Sequence, residues 1–317
     1  MLSKLSKISS MITLSFKCPS MFDTYIKDYN KSYSLEEYGE RLIIFCENVK
    51  EIEEMNEFNG NYTVGINKFT DMTDMERAGM INNAYKGLNL DFSNDVIEFT
   101  GKYDKGDVNW IDVMPPVRNQ GQCGSCYSFG ALESIEARYK QNLNKTVSLS
   151  EGEIIDCSYR FGNMRCNGGM PDRVFEYIKE YGVCQINKYP YSIPFELCNM
   201  KACKEKERVY IKGWVDVNSF DEDALTKAVN EGPVSVAIDA SNLSPYTGGI
   251  FTDCSSKLDH AVVVYGYGIT EDGKKFWRMR NSWGEDWGDN GNFMIPRATG
   301  SIIGGCGINS VPSYPIV

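Results

Sequence analysis

Histidine is the scarcest residue type in this sequence, which holds one, His260, among 317 residues. A metal site built from several imidazoles is therefore excluded, and His260 is the sole imidazole available for proton transfer near neutral pH. Runs of about 18 or more apolar residues are missing as well, so the sequence predicts no helix that crosses a bilayer.

Basic residues are outnumbered by acidic ones, with 33 Lys and Arg against 43 Asp and Glu and a formal net charge of −10. No basic stripe interrupts the scattered acids, so neither nucleic acid nor an anionic membrane surface is an expected partner. A hydrophobic content of 42% is enough for a real core in one large domain or two smaller ones, which excludes overall disorder.

Eleven cysteines are many for a cytosolic protein and predict disulfides formed in the secretory pathway. The first twenty residues place Lys4 and Lys7 before a modest apolar stretch, Ile8 to Phe16, that serines interrupt. Residues 1–20 therefore resemble a weak secretory leader, and whether this signal is cleaved stays open.

The segment from Phe22 to Asn56 is rich in Glu, Lys and Tyr and is predicted to be helical. Its apolar residues form one stripe that must pack on something: Leu42, Phe45, Val49 and Ile52. A short strand is predicted around Tyr62, Val64 and Ile66, and the polar stretch 89–106 is the best candidate for an exposed domain boundary.

Beyond this boundary helices come first and strands later. A buried helix is predicted to open at Cys126, and Ser150 with Glu153 forms a capping box for another that ends near Cys157. Strands are predicted at residues 234–238, 261–265 and 276–279. This order predicts an α+β arrangement with two unlike halves and a cleft between them.

The most informative stretch runs from Gln120 to Tyr127 and reads Q-G-Q-C-G-S-C-Y. A cysteine in the first turn of a helix has its thiolate stabilised by the positive helix end, which favours Cys126 as a nucleophile. Alternatively, Cys123 and Cys126 form a C-x-x-C redox pair or half of a metal site. The redox interpretation lacks a βαβ context, and the metal interpretation lacks a second close pair of ligands.

A catalytic thiol also needs a base, and the base needs a group that orients it. His260 begins an apolar run and Asn281 follows another, at 134 and 155 residues beyond Cys126. Alone, a histidine beside a strand is more often structural, and an asparagine in a turn is usually a turn former. Together their separations approach the roughly 130 to 150 residues typical of papain-like proteases.

With C-G-S-C-Y, D-H-A and N-S-W-G in place, the chain resembles a cathepsin-L-like member of the papain family of cysteine proteases. The resemblance implies an endopeptidase without cofactor or metal, and a two-subdomain fold with a helical half, a β-barrel-like half and a catalytic cleft between them. It also implies roles for Cys126 as nucleophile, His260 as base, Asn281 as orienting group, Trp283 as its cover, and Gln120 as oxyanion donor. Tyr127, Gly130 and Tyr25 depart from the family pattern without removing a catalytic group.

The front of the chain matches the family's propeptide pattern E-x3-R-x3-F-x2-N-x3-I-x3-N at Glu37, Arg41, Phe45, Asn48, Ile52 and Asn56. Its companion motif is Gly65-x-Asn67-x-Phe69-x-Asp71. The resemblance implies an inhibitory propeptide at residues 21–103, which occludes the cleft until acid-triggered autoprocessing removes it. The mature peptidase would then span residues 104–317.

The resemblance also pairs Cys123 with Cys166, Cys157 with Cys198 and Cys254 with Cys306, leaving Cys126 free. Cys184 and Cys203 are expected to pair with each other, whereas burial or chance is expected to account for Cys18 and Cys46. Gly168 and Gly169 would form the cleft wall that pairs with an extended peptide. The pocket for the second residue before the scissile bond, P2, would be apolar and prefer apolar side chains, lined by Met170, Pro171, Ala237, Ala261 and Val311.

Two other functions are weighed against this one: a catalytically silent inhibitory or binding homologue, and a thiol–disulfide oxidoreductase that uses Cys123 and Cys126. The expected partners are protein or peptide substrates, the chain's own propeptide and cystatin-like inhibitors. A monomer is expected, in a lysosome-like acidic vesicle or outside the cell.

Overall fold

The structure is a computed structural model that describes residues 17–58, 60–85 and 100–317. Residues 1–16 of the expected leader and residues 89–99 of the expected connection lie outside this range. We call residues 17–85 the N-terminal segment and residues 103–317 the C-terminal domain.

Two long helices form the part of the N-terminal segment that the sequence predicted to be helical. Helix α1 covers residues 17–28 and α2 covers Leu35–Phe58. Asn30 takes a left-handed φ of 48° in the turn between them. Ser34 then caps α2, because its hydroxyl accepts from Glu37 N and the Glu37 carboxylate accepts from Ser34 N. The capping box begins a new helix, so the segment predicted to be helical is helical on both sides of a turn at residues 29–34.

The apolar stripe of α2 packs on two partners. Phe45 and Val49 lie in a small core with Phe22 and Tyr25 of α1, whereas Ile52 packs into the C-terminal domain. Packing of α1 on α2 also joins Cys18 to Cys46 in a disulfide, with Cα atoms 5.8 Å apart. The expectation that these cysteines are unpaired was wrong, because only the fold of α1 back onto α2 brings them together.

The rest of the segment leads to the C-terminal domain. Strand β1, Tyr62–Val64, pairs antiparallel with β5, Tyr246–Gly249. The short helix α3, Asp74–Ala78, begins at a capping box between Thr73 and Glu76. The predicted strand therefore exists, but its partner comes from the other part of the chain.

The C-terminal domain has a helical half and a sheet half. Its helices are α4 (Cys126–Leu143), α5 (Glu151–Cys157), α6 (Pro171–Tyr181) and α7 (Glu222–Asn230). The strands of the large sheet are β2 (Val108–Asn109), β3 (Gly213–Asp216), β4 (Val234–Ile238), β6 (His260–Ile269), β7 (Lys275–Arg280), β8 (Asn292–Pro296) and β9 (Ser313–Ile316). The expected order of helices before strands is thus largely confirmed.

The sheet has the order β3-β9-β4-β6-β7-β8, with antiparallel neighbours throughout. Strand β4 pairs with residues His260 to Val264 of β6, and β2 pairs with Gly266 and Tyr267 farther along. The sheet therefore branches at β6, and among the described residues no pairing joins β3 to β8. The barrel-like half expected from the resemblance is an open sheet.

Two hydrophobic cores meet along β6. Ala261 belongs to the core of the helical half, whereas Val262 and Val264 belong to the core of the sheet half. The helical core is built on α4, α5 and α6, and the sheet core on aromatic residues such as Trp277 and Trp287. The first residues of β6 therefore lie where the two halves join.

Disulfides connect ten of the eleven cysteines. Those of the C-terminal domain are Cys123–Cys166, Cys157–Cys198, Cys184–Cys203 and Cys254–Cys306. Glu153 lies close to the third of these bonds, but oxidised sulfurs are not metal ligands. Within the described ranges, no helix combines the length and the apolar character that a membrane crossing requires.

The Cys18–Cys46 bond closes a loop of 28 residues, so its removal should destabilise the α1–α2 pair by about 3 kcal/mol. We expect the double variant Cys18→Ser, Cys46→Ser to show faster amide hydrogen exchange in α1 and α2, measured by mass spectrometry. The matched variant Cys184→Ser, Cys203→Ser should leave exchange in these helices unchanged. Equal protection in the wild type and the first variant would contradict the expectation.

Candidate active site

Cys126 is the free cysteine of the chain and opens α4, fully buried. Its Sγ accepts a hydrogen bond from the backbone N–H of Ala261 at 3.2 Å. Ser125 precedes the helix without donating or accepting a side-chain cap bond, so the first-turn N–H groups remain available to stabilise negative charge. The helix start and the adjoining strand therefore position the sulfur where a thiolate is favoured once solvent or substrate reaches it.

His260 is the first residue of β6, and its ring Nε2 lies 2.8 Å from Oδ1 of Asn281. Asn281 follows β7 directly, and the same oxygen accepts from Ser282 N at 2.8 Å. Because an amide oxygen accepts, Nε2 carries the proton, and Nδ1 has no hydrogen-bond partner among the described residues. Trp283 covers the pair, with its ring 4.9 Å from the imidazole.

Burial keeps both groups neutral in this arrangement. It raises the pKa of the Cys126 thiol to about 12, with the Ala261 N–H acting in the opposite direction. Burial also lowers the pKa of His260 to about 4, although the hydrogen bond that the ring donates to Asn281 acts in the opposite direction. At neutral pH the covered site therefore holds a thiol and an imidazole rather than the ion pair that a cysteine nucleophile needs.

Gln120 lies on a loop that pairs with the segment after β7. Its N–H donates to Ser282 O at 2.9 Å, and its side-chain oxygen accepts from the Ser282 hydroxyl at 2.6 Å. These bonds fix the amide group, whose Nε2 donates to Cys123 O at 2.8 Å and to Met80 O at 2.9 Å. The expected oxyanion donor is thus bound to a carbonyl of the N-terminal segment.

Gly168 and Gly169, the predicted cleft wall, lie against Asn82 of the N-terminal segment. Asn82 Nδ2 donates to Gly169 O at 2.7 Å, and Gly169 N donates to Asn82 Oδ1 at 3.1 Å. A Cβ on Gly168 would lie 2.1 Å from that Oδ1, and its φ is 111°, so glycine is required on both counts. Asn82 N also donates to Asp259 O at 2.7 Å. The side-chain amide takes the bonds that a peptide group of an extended chain would form.

The expected apolar pocket is filled by Tyr85, which is 3% exposed. Its ring packs with Met170, Ala237, Val311 and Leu258. Pro171 and Ala261, which were expected to line the same pocket, are buried outside this cluster, at the start of α6 and in the helical core. Leu258 was missed, although an apolar residue two positions before His260 was the signal for it.

The sequence also missed Met80, Asn82 and Tyr85, which form what we call the occluding segment (residues 80–85). These residues lie beyond both N-terminal motifs and carry no periodicity, so no pattern identified them. Their role comes from the groove that they enter. In chain order, Met80 binds the amide of Gln120, Asn82 binds Gly169, and Tyr85 fills the apolar pocket.

Two family models match the chain. Residues 22–76 match the cathepsin propeptide inhibitor domain, and residues 103–316 match the papain family cysteine protease domain. Among curated proteins, ananain of Ananas comosus is 36% identical over 308 residues, which cover 93% of this chain and 86% of ananain. Vignain of Vigna mungo is 37% identical over 309 residues, 93% of this chain and 84% of vignain.

Solved structures of precursors show the same fold. A recombinant stem bromelain precursor superposes with a TM-score of 0.85 at 32% identity, covering 95% of this chain and 99% of that one. Digestive procathepsin L 3 of the Tenebrio molitor larval midgut superposes with a TM-score of 0.82 at 33% identity, again covering 95% and 99%. Both likenesses include the N-terminal segment as well as the C-terminal domain.

Burial of Cys126 predicts slow chemical modification. The thiolate is the reactive form, and a pKa raised to about 12 keeps its population small until the pH approaches that value. Iodoacetamide should label Cys126 in the full chain at least about tenfold more slowly than in the isolated C-terminal domain. The rate in the full chain should still increase between about pH 8 and 10, beyond the ordinary thiol pKa.

Labelling would be measured by mass spectrometry, with Cys126→Ala as the control that takes up no reagent, since the other cysteines are in disulfides. Equal rates in the two forms, or a plateau near pH 8, would show that the thiol is neither covered nor shifted.

Proposed function

Because this chain belongs to the papain family of cysteine proteases and carries a cathepsin-type propeptide, we propose that it is a zymogen whose peptidase acts through Cys126, His260 and Asn281. The observation that carries this proposal is that the free thiol at the start of α4 accepts from the N–H of Ala261, the residue after His260, whose ring is bonded to Asn281. Peptide hydrolysis needs this combination of nucleophile, base and orienting group.

The chemistry follows from these groups once the occluding segment has left. His260 takes the proton of the Cys126 thiol, and the thiolate attacks the carbonyl carbon of the scissile bond. Negative charge develops on the carbonyl oxygen, within reach of the Gln120 amide and the Cys126 N–H. The imidazolium then gives its proton to the leaving amine, and a thioester remains. Water, deprotonated by His260, hydrolyses the thioester and restores the thiol.

Gln120 and Asn281 assist in different ways. The Gln120 amide, held by Ser282, donates to the oxyanion, and a donor of this kind contributes on the order of 3 kcal/mol to the transition state. Asn281 accepts from Nε2 of His260, which directs the other ring nitrogen to exchange protons with sulfur and amine. Trp283 excludes water from that hydrogen bond.

Inhibition is assigned to residues 21–103, and the mature peptidase to residues 104–317. The boundary at residue 20 cuts α1 and would remove Cys18 from its disulfide, so any leader cleavage that preserves the bond lies before residue 18. The occluding segment blocks the cleft because Met80, Asn82 and Tyr85 occupy the groups that would bind substrate.

Acid-triggered release is supported by carboxylates inside the propeptide. Asp71 accepts from Lys31 and from the hydroxyls of Tyr25 and Tyr33, and its pKa is lowered by these contacts despite burial. Arg41 and the N-cap of α3 lower the pKa of Glu76 to about 2. A depressed carboxylate pKa gives stability that is present above about pH 4.5 and is lost as the pH falls toward the folded value. Acidification therefore weakens the propeptide.

The two alternatives have less support. A thiol–disulfide oxidoreductase would need Cys123 and Cys126 as a pair, but Cys123 is bonded to Cys166. A silent homologue would be expected to have lost a catalytic group, whereas Gln120, Cys126, His260 and Asn281 are all present.

The disulfides indicate a protein of the secretory pathway or of a vacuole- or lysosome-type compartment. Within that range, we propose an acidic vesicle or secretion as the site of action. We further propose that the enzyme is a monomer that cleaves proteins or peptides and is inhibited by cystatin-like proteins.

Replacing the nucleophile tests the assignment directly. Cys126→Ala should abolish both peptide cleavage and self-processing while the precursor stays folded, because no other free thiol is present. His260→Ala should lose activity as fully, since the chain has no second imidazole. Processing would be followed by gel electrophoresis after acidification, and folding by circular dichroism. Self-processing by purified Cys126→Ala would overturn the proposal.

The pocket filled by Tyr85 predicts the P2 preference. Its walls are apolar, with valine rather than an acid at residue 311, so aromatic and aliphatic side chains should be preferred at P2 over arginine. A positional-scanning peptide library at the P2 position would measure this preference. Arginine as the best P2 residue would contradict the assignment of the pocket.

A further inference from the structure

A lysine of the propeptide forms an ion pair with the peptidase domain. Lys68 Nζ lies 2.6 Å from Asp286 Oδ1, and the two side chains are 14% and 57% exposed. The ammonium is also packed over the Phe69 ring, 5.4 Å from its centroid. Two backbone carbonyl contacts, from the Tyr25 hydroxyl and Lys31 Nζ to Lys68 O, hold this residue in place.

The ion pair lies next to the catalytic histidine. The Phe69 ring meets Trp283 edge-on at 5.6 Å, and the Trp283 ring lies tilted over His260 at 4.9 Å. A Cβ on Gly284 would lie 2.7 Å from both Lys68 Nζ and Asp286 Oδ1. Asp286 therefore belongs to the same turn as Trp283, on the histidine side of the cleft.

The part of a substrate that follows the scissile bond must pass along this side of the cleft. The P2 pocket holds Tyr85 and the glycine wall holds Asn82, so the acyl part of a substrate lies there. His260 donates the proton to the leaving amine in the proposed mechanism, so the chain beyond that amine passes over the imidazole toward Trp283. Lys68 and Phe69 occupy that region in the zymogen.

Removal of the propeptide leaves the Asp286 carboxylate exposed at the edge of this region. Its neighbour Glu285 is exposed as well, so the turn carries two negative charges. An ammonium group of this same chain already occupies the site, and an aromatic ring of the chain lies on Trp283 beside it. A substrate with similar chemistry would restore both contacts.

We propose that Asp286 selects a lysine or arginine side chain on the carboxyl side of the scissile bond. This inference rests on the proposed function and adds a specificity-determining residue to it. The carboxylate is more than half exposed, so the preference is modest, roughly two- to fivefold in kcat/KM. It should weaken as salt is added, because the screening length falls from about 10 Å at 0.1 M to about 3 Å at 1 M.

The test uses internally quenched peptides with the same residues before the scissile bond and leucine at P2. Lysine, alanine or glutamate is placed in turn at each of the first three positions after the bond. The mature domain released from wild-type precursor is compared with Asp286→Asn and with the matched control Glu285→Gln. Cleavage positions are verified by mass spectrometry so that each rate refers to the same bond.

We expect lysine to exceed alanine, and alanine to exceed glutamate, at one of these positions in the wild type and in Glu285→Gln. Asp286→Asn should cleave the alanine peptide normally and lose the lysine preference. An unchanged lysine-to-alanine ratio in Asp286→Asn would overturn the inference, even if that variant releases its propeptide faster. Failure of every enzyme form to cleave any peptide would instead overturn the proposed function on which the inference rests.

Discussion

The burial of the Cys126 thiol between two hydrophobic cores is the constraint on which the rest of the structure depends. Strand β6 separates these cores, with Ala261 facing the helical side and Val262 the sheet side. The same strand starts with His260 and supplies the N–H that meets the sulfur. One strand therefore positions both His260 and the surroundings of the Cys126 thiol, and a shift of one residue along it would exchange the two faces.

The loop that carries Gln120 is held by buried charged side chains, which would be unfavourable beside the hydrophobic cores if they were not paired. Arg118 bonds Glu136 of α4 at 2.8 Å and also pairs with Glu151 of α5. Burial raises the pKa of Glu136 to about 8, although the guanidinium acts in the opposite direction. Buried charges are tolerated when they are paired and hydrogen-bonded, and this cluster fastens the loop to two helices. Gln120 then bonds Ser282 and joins the helical half to the residues that follow β7.

The occluding segment contacts the groups to which we assign substrate binding, but through side chains as well as backbone. Asn82 pairs with Gly169 through its side chain rather than through its peptide group. The N-terminal segment contacts Trp283 through Phe69 and reaches the apolar pocket later in the chain, through Tyr85 of the occluding segment. It therefore fills the cleft through side chains as well as through backbone contacts. Burial of sulfur and imidazole adds a second protection, because the ion pair is disfavoured there.

Local sequence was enough for the elements whose signal lies in a few neighbouring residues. The start of α4 at Cys126, the strands around residues 234–238, 261–265 and 276–279, and the motifs of nucleophile, base and orienting group depend on spacing and periodicity along the chain. The apolar stripe of α2 indicated that a partner was needed, but not which one. Only the tertiary structure decided that the stripe packs on both α1 and the sheet core. It also decided that Cys18 meets Cys46 and that Met80, Asn82 and Tyr85 fill the cleft. These contacts join residues far apart in the chain, and their energies come from burial and hydrogen bonds that exist only after the two parts have packed together.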